Sequence, residues 1–331
     1  MDKKLKREIR KNSNINSLIL LLFYIFIFVF AIFAEEITAL FVRKDSQNFY
    51  YVYKLIAYIF QYAVTVPVLL LIFKGLKKKD KDFSLKECFC KPQMPAGWVF
   101  KWIIIALGLS YAVSYVSSIV FSLIQMLTET ELHSADFSAD NALIDRIATI
   151  LSITFLAPFF EELLFRATLY RNISKYGAWS MVIISGIIFG LWHGNYEQTL
   201  YTATLGMLSC FLIAKTKSFI PSLAVHFIMN LIGGIQALFI GSVDTENVML
   251  SSNLGAVAVI YLLSMLIIGI SIAGLVLFII EVALHPESFR LENRCTEAST
   301  GKKLAVFFTA PLTILIFALM IFSTVFNAFN A

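Results

Sequence analysis

The chain has 331 residues, of which 59% are hydrophobic and only 15% charged, with 31 Phe and 13 Tyr and a mean hydropathy of +0.79. An average soluble domain carries about 25% charged residues and a disordered chain is poor in apolar and aromatic ones, so both classes are excluded and an integral membrane protein remains. The formal net charge of +5 does not point to a nucleic acid, because the basic residues of a membrane protein collect on its cytoplasmic face.

A hydrocarbon core about 30 Å thick takes about 20 apolar residues per helix. On that template the sequence predicts nine spans, over residues 18–34, 55–73, 100–127, 147–167, 178–194, 198–214, 218–240, 256–280 and 304–328. The expected fold class is therefore all-α: a polytopic transmembrane helical bundle of eight or nine spans, forming a single integral membrane domain over residues 1–331. The basic leader (Lys3, Lys4, Lys6, Arg7, Arg10, Lys11) and the apolar run from Leu18 to Ala34 share the layout of a signal peptide. That run exceeds an h-region of about 7 to 15 residues, and an uncleaved first helix is expected.

Placing the N-terminus in the cytoplasm puts 23 of the 27 Lys and Arg on the inner side and leaves only Arg43, Lys44, Lys54 and Arg146 outside. This is the bias that marks a correct orientation, and nine spans then leave the C-terminus outside. A bacterial plasma membrane is the expected location. Cys88, Cys90 and Cys295 fall in cytoplasmic segments and Cys210 near the inner end of the sixth span, where a reducing compartment disfavours disulfides. The C-x-C pair Cys88 and Cys90 has no second pair or nearby His to complete a zinc site. The chain shows no glycine-rich phosphate loop, low-complexity tract or internal repeat.

An ionisable group at a helix centre costs about 2.5 to 3.5 kcal/mol on the translocon scale, so those inside spans invite a functional reading. In the fourth span, the run Ala157-Pro158-Phe159-Phe160-Glu161-Glu162-Leu163-Leu164-Phe165-Arg166 places two carboxylates and an arginine in an apolar helix. Glu162 and Arg166 stand four apart, in the favoured order for an ion pair, while Glu161 points about 100° away, free to address a neighbouring helix. The fifth span ends Phe189-Gly190-Leu191-Trp192-His193, with Phe189 one turn from the imidazole; the seventh carries His226 and Asn230 on one face. Together these supply a base, two titratable nitrogens and an amide donor, the inventory for activating water and stabilising an oxyanion.

Each set alone has a plainer reading: a packing histidine, an ion pair that glues helices, an interhelical hydrogen bond. Other polar residues stay with the plain reading. Glu35-Glu36 is interfacial; Gln61, Gln125 and Gln236 are helix contacts; Glu281 lies at a membrane boundary; His133 and His285 lie in loops.

Over residues 145–240, the expected catalytic core, the sequence resembles the CPBP intramembrane proteases, also called the Abi family, which include type II CAAX prenyl proteases and bacteriocin-processing or immunity proteins. The family pattern is Glu-Glu-x-x-x-Arg, Phe-x-x-x-His and His-x-x-x-Asn on successive helices, and this chain has Glu161-Glu162 with Arg166, Phe189 with His193, and His226 with Asn230. The resemblance implies endopeptidase activity on a peptide or membrane-protein substrate among membrane lipids, with no nucleic acid. It makes Glu161 and His193 the activators of water and His226 and Asn230 the oxyanion donors, with Glu162, Arg166 and Phe189 in support. Chemistry without a metal is favoured over a metalloprotease; zinc, were it present, would take Glu161, His193 and His226, with water in the fourth place. Two rivals stay open: a non-catalytic scaffold or self-immunity protein of the same fold, and a transporter using Glu and His as a proton relay. At 1.5 Å per residue Glu161 lies about 9 Å and His226 about 12 Å from the inner ends of their spans, so a cavity opening towards the cytoplasmic half is expected.

Overall fold

In a bilayer the backbone amides find no water, so an apolar segment must satisfy them internally, and helix is the form that does so segment by segment. In the computed structural model, whose described residues are 1–77, 89–133, 142–240, 243, 253–292 and 295–329, no strand occurs among those residues. Cys88, the lysines from Lys78 to Lys86 and Arg294, all used in reading the cytoplasmic loops, lie outside the described residues. The helices are α1 (Lys3–Ala39), α2 (Phe49–Leu76), α3 (Ala96–Thr128), α4 (Leu143–Tyr176), α5 (Ala178–Trp192), α6 (Tyr196–Thr216), α7 (Ile220–Ile240), α8 (Leu254–Leu284), α9 (Thr300–Phe308) and α10 (Pro311–Phe329).

Seven of these, α1, α2, α3, α4, α7, α8 and α10, are long and apolar enough to cross a membrane, and the protein is an integral membrane protein. Two of the nine expected spans do not meet that measure. Helix α5 is apolar but has 15 residues, and α6 has 21 residues but carries Glu197, Gln198, Thr199, Thr202 and Thr204 in its first turns. The reason is their position: α5 and α6 lie against each other inside the bundle, and most of α5 is buried. A helix covered by protein need not match the apolar thickness of the bilayer. The last expected span divides at Pro311 into α9 and α10.

Glycines set the tightest crossings. A Cβ on Gly190 of α5 would stand 2.5 Å from the Thr199 carbonyl of α6, and one on Gly108 of α3 would stand 2.5 Å from the Ile270 carbonyl of α8. Small residues let backbones approach where no water-driven collapse pulls helices together. Helix α1 runs unbroken from Lys3, and one polar face of it, Asn12, Ser13, Asn16 and Ser17, is buried: Ser13 and Ser17 bond to Thr313 of α10, and Asn16 donates to the Leu169 carbonyl of α4 at 3.1 Å.

The polar residues outside the motifs sort by depth. Glu35 and Glu36 face Lys44 at 3.8 and 3.2 Å in exposed positions, as an interfacial pair should. Glu281 is 1% exposed and pairs with Lys101 of α3. Gln125 accepts from the Leu132 amide at 2.9 Å, closing the turn after α3.

Candidate active site

Helix α4 owes its shape to Pro158. Proline has no amide hydrogen and its ring crowds the carbonyl one turn back, so the chain widens into π-helical geometry over Leu151–Leu156. In that register the Ala157 amide donates to the Ser152 carbonyl. The Ile153 carbonyl, whose next donor would be the missing amide of Pro158, is left over. Asn230 of α7 supplies the bond, its Nδ2 donating to Ile153 at 2.8 Å. After the short α-helical stretch Ala157–Glu162 the chain widens again over Leu163–Tyr170. The two glutamates thus sit between two wide turns, a device that re-aims side chains and recurs at functional sites. A similar widening over Phe60–Thr65 of α2 precedes Pro67 and carries Tyr62.

Glu162 is wholly buried and fully engaged. Arg166 Nη1 lies 3.2 Å from its Oε1, His226 Nδ1 lies 3.0 Å from the same atom, and Ser222 donates to Oε2. Arg166, with no exposed surface, also stacks 3.5 Å from the centroid of the Phe189 ring. The sequence pairs Glu162 only with its own helix; in the structure it also ties α4 to α7. An acceptor carboxylate at Nδ1 makes that nitrogen the N–H of His226 and turns Nε2 outwards. His193 is set in the same way, its Nδ1 bonding to the Phe189 carbonyl at 2.8 Å. Phe189 stands edge-on to both imidazoles, with ring centroids 4.8 Å from His193 and 5.6 Å from His226.

Glu161 points the other way. Tyr62 donates to its Oε1 at 3.3 Å, and its Oε2 lies 3.8 Å from His226 Nε2 with no hydrogen-bond donor among the described residues. Glu161, His193, His226 and Asn230 all line one cavity of about 520 Å³, whose walls include Tyr58, Tyr62, Tyr111, Tyr115 and Tyr201. Gln236, expected as a helix contact, lines it too. Glu162, Arg166 and Phe189 stay behind the wall.

The cavity extends along α7 beyond Asn230 to Gln236 and along α4 back to Ser152. Helix α4 runs on to Tyr176, beyond the expected end of the fourth span at residue 167.

Tyr62 and Ser222 escape a reading of motifs. Ser222 precedes His226 by one turn on the same face, a signal the spacing carries; Tyr62 has only the nearby Pro67 to mark it. The donor types of Glu161, His193 and His226 suit zinc. Their placement does not: among the described residues no three His, Cys, Asp or Glu side chains stand together closely enough to hold a metal ion.

Residues 143–232 match the family model described as type II CAAX prenyl endopeptidase Rce1-like. Comparison with curated proteins and with solved structures finds no match. The matched segment runs from the start of α4 into α7 and contains every residue of the three motifs. Over residues 143–232, then, the chain is similar to the type II CAAX prenyl endopeptidases that this family model describes.

Proposed function

We propose that the chain is an intramembrane endopeptidase that hydrolyses a peptide bond in a peptide or membrane-protein substrate within a bacterial plasma membrane. The observation that carries this reading is the convergence of Glu161, His193, His226 and Asn230 on one cavity, while the second carboxylate, Glu162, is consumed by Arg166, Ser222 and His226. Two adjacent carboxylates in different surroundings can hold different tasks. Glu161, with one oxygen steadied by Tyr62, is the base; Glu162 is the anchor.

In this reading a water molecule rests between Glu161 Oε2 and His193 Nε2. Its oxygen attacks the peptide carbonyl carbon as Glu161 takes a proton. The oxyanion is received by the second N–H of Asn230 Nδ2, whose first is spent on Ile153, and by His226 Nε2 when the ring carries both protons. The tetrahedral carbon collapses by breaking its bond to nitrogen, and Glu161 returns the proton to the leaving amine. The products are a carboxylic acid and an amine, and the sum consumed is one water. We take the chemistry as general-base catalysis without a metal, a reading supported by the lack, among the described residues, of three His, Cys, Asp or Glu side chains grouped closely enough to hold an ion.

The test is a cleavage assay of the detergent-purified protein on peptide substrates, with bound metal measured on the same sample. Loss of a general base costs about 10² to 10⁴ in rate, so Glu161→Gln should lose that much activity while the protein stays folded. Wild-type protein no more active than Glu161→Gln on any substrate would overturn the enzyme in favour of a non-catalytic scaffold or immunity protein. Stoichiometric zinc that vanishes in a His193→Ala, His226→Ala double variant would overturn the metal-free chemistry.

A further inference from the structure

The site is asymmetric along the membrane normal, and in the same sense on each of its three helices. With the N-terminus inside, α4 runs inwards while α5 and α7 run outwards. Inwards from the polar residues, within about one turn, lie Glu162, Phe165 and Arg166 on α4, Phe189 on α5 and Ser222 on α7, and none of the five has more than a trace of exposed surface. They form a closed layer knit by the Arg166, His226 and Ser222 contacts to Glu162 and by Arg166 on Phe189. The wall of the cavity lies entirely on the other side. On α4 it is Ser152, Ile153 and Ala157, all before Glu161; on α7 it is Met229, Asn230, Gly233 and Gln236, all after His226; on α6 it falls between Gln198 and Leu205, in the outward half. A separate cavity of about 120 Å³ on the inner side, bordered by Lys217 and Glu292, ends at Arg166. The two spaces are thus divided by a buried ion pair, the least yielding kind of partition, since opening it would strand a charge.

We infer that water and substrate reach Glu161 from the non-cytoplasmic side, and that the substrate is a membrane-anchored peptide whose scissile bond lies in the outer half of the bilayer or at its outer surface, not a cytoplasmic C-terminus. The wall also restricts chemistry. Among its described residues it offers tyrosines, Ser114, Ser152, Ser264, Gln198 and Gln236, and a single carboxylate, Glu161, with no Lys or Arg. A cavity without Lys or Arg gives an acidic side chain no partner, so the residues flanking the scissile bond are not acidic. The substrate part of this inference rests on the protease reading; the direction of access does not.

The experiment separates the two. Gln236→Cys and Ser114→Cys are made singly in the full chain and treated with a membrane-impermeant charged thiol reagent in intact cells and after permeabilisation, with native Cys90 and Cys295 as inner-side references. Equal labelling of Cys at 236 and 114 in both conditions, with Cys90 and Cys295 labelled only after permeabilisation, is the expected result. Labelling at 236 and 114 only after permeabilisation, or from neither side, overturns outward access, as does labelling of Cys90 in intact cells. In parallel, one anchored peptide is presented with its cleavable segment outside or inside. Cleavage of the outer form alone is expected and cleavage of the inner form alone overturns the inference. Failure to cleave either overturns the protease reading and the substrate assignment, while the labelling still decides the side of access.

Discussion

Glu161 and Glu162 are neighbours in the chain with opposite surroundings, and substitution should separate them. Glu162→Gln leaves Arg166 buried beside an amide, and breaking a buried ion pair by removing one partner costs about 3 to 5 kcal/mol. Thermal unfolding in detergent should therefore fall markedly for Glu162→Gln and stay near wild type for Glu161→Gln. Equal losses would show that the two carboxylates share one role. Tyr62 offers a subtler test. A hydrogen bond to a charged group is worth about 1.5 to 3 kcal/mol, and each 1.36 kcal/mol on a barrier is a factor of about ten in rate. Tyr62→Phe should lower kcat by about tenfold or more while leaving KM and thermal stability close to wild type, because the ring remains and only the bond to Glu161 Oε1 is lost. A raised KM with unchanged kcat would make Tyr62 a substrate contact instead.

At the scale of elements, the shape of α4 is set by one residue. Pro158→Ala restores an amide hydrogen and removes the ring, so the wide turn over Leu151–Leu156 can tighten into regular helix. Removing one residue's worth of widening rotates the rest of the helix by about 100°, which would carry Glu161 out of the cavity and deprive Asn230 of its acceptor. The expected outcome is a protein at least as stable as wild type but inactive, checked by thermal unfolding beside the cleavage assay; an active Pro158→Ala would detach the bulge from function. The glycine crossings carry the opposite expectation. At Gly108 a side chain would meet the backbone of α8, with Gly274 Cα at 2.6 Å, so Gly108→Val must push α3 from α8. Overpacking costs typically about 1 to 3 kcal/mol; and because Tyr111 and Ser114 of α3 and Ser264 and Ile267 of α8 line the same cavity, activity should fall along with thermal stability.

For the whole molecule, the charge distribution is readable without coordinates. The 23 to 4 division of Lys and Arg sets an orientation because basic loops resist translocation. It predicts that a reporter fused after Ala331 is active only outside and one fused before Met1 only inside. Unbroken apolar runs of about 20 residues require helical spans, since a barrel strand would alternate apolar and polar residues, and they locate seven of the spans directly. The three motifs are likewise visible as text, because spacings of four residues put Glu162 with Arg166, Phe189 with His193 and His226 with Asn230 on shared faces of single helices. What spacing cannot convey is what lies across from those faces. That His226 and Ser222 bind Glu162 rather than Glu161, that Tyr62 comes from the second helix to hold Glu161, that α5 and α6 are sheltered enough to be short or polar, and that the cavity lies to one side of a sealed layer of buried side chains all depend on contacts between different helices. Ser222 and Glu162 are 60 positions apart, His226 and Glu162 64, and Tyr62 and Glu161 99. Such contacts are decided by how helices pack, through glycine clearances and orphaned carbonyls such as that of Ile153, and only the tertiary structure determines which partner each freed group finds.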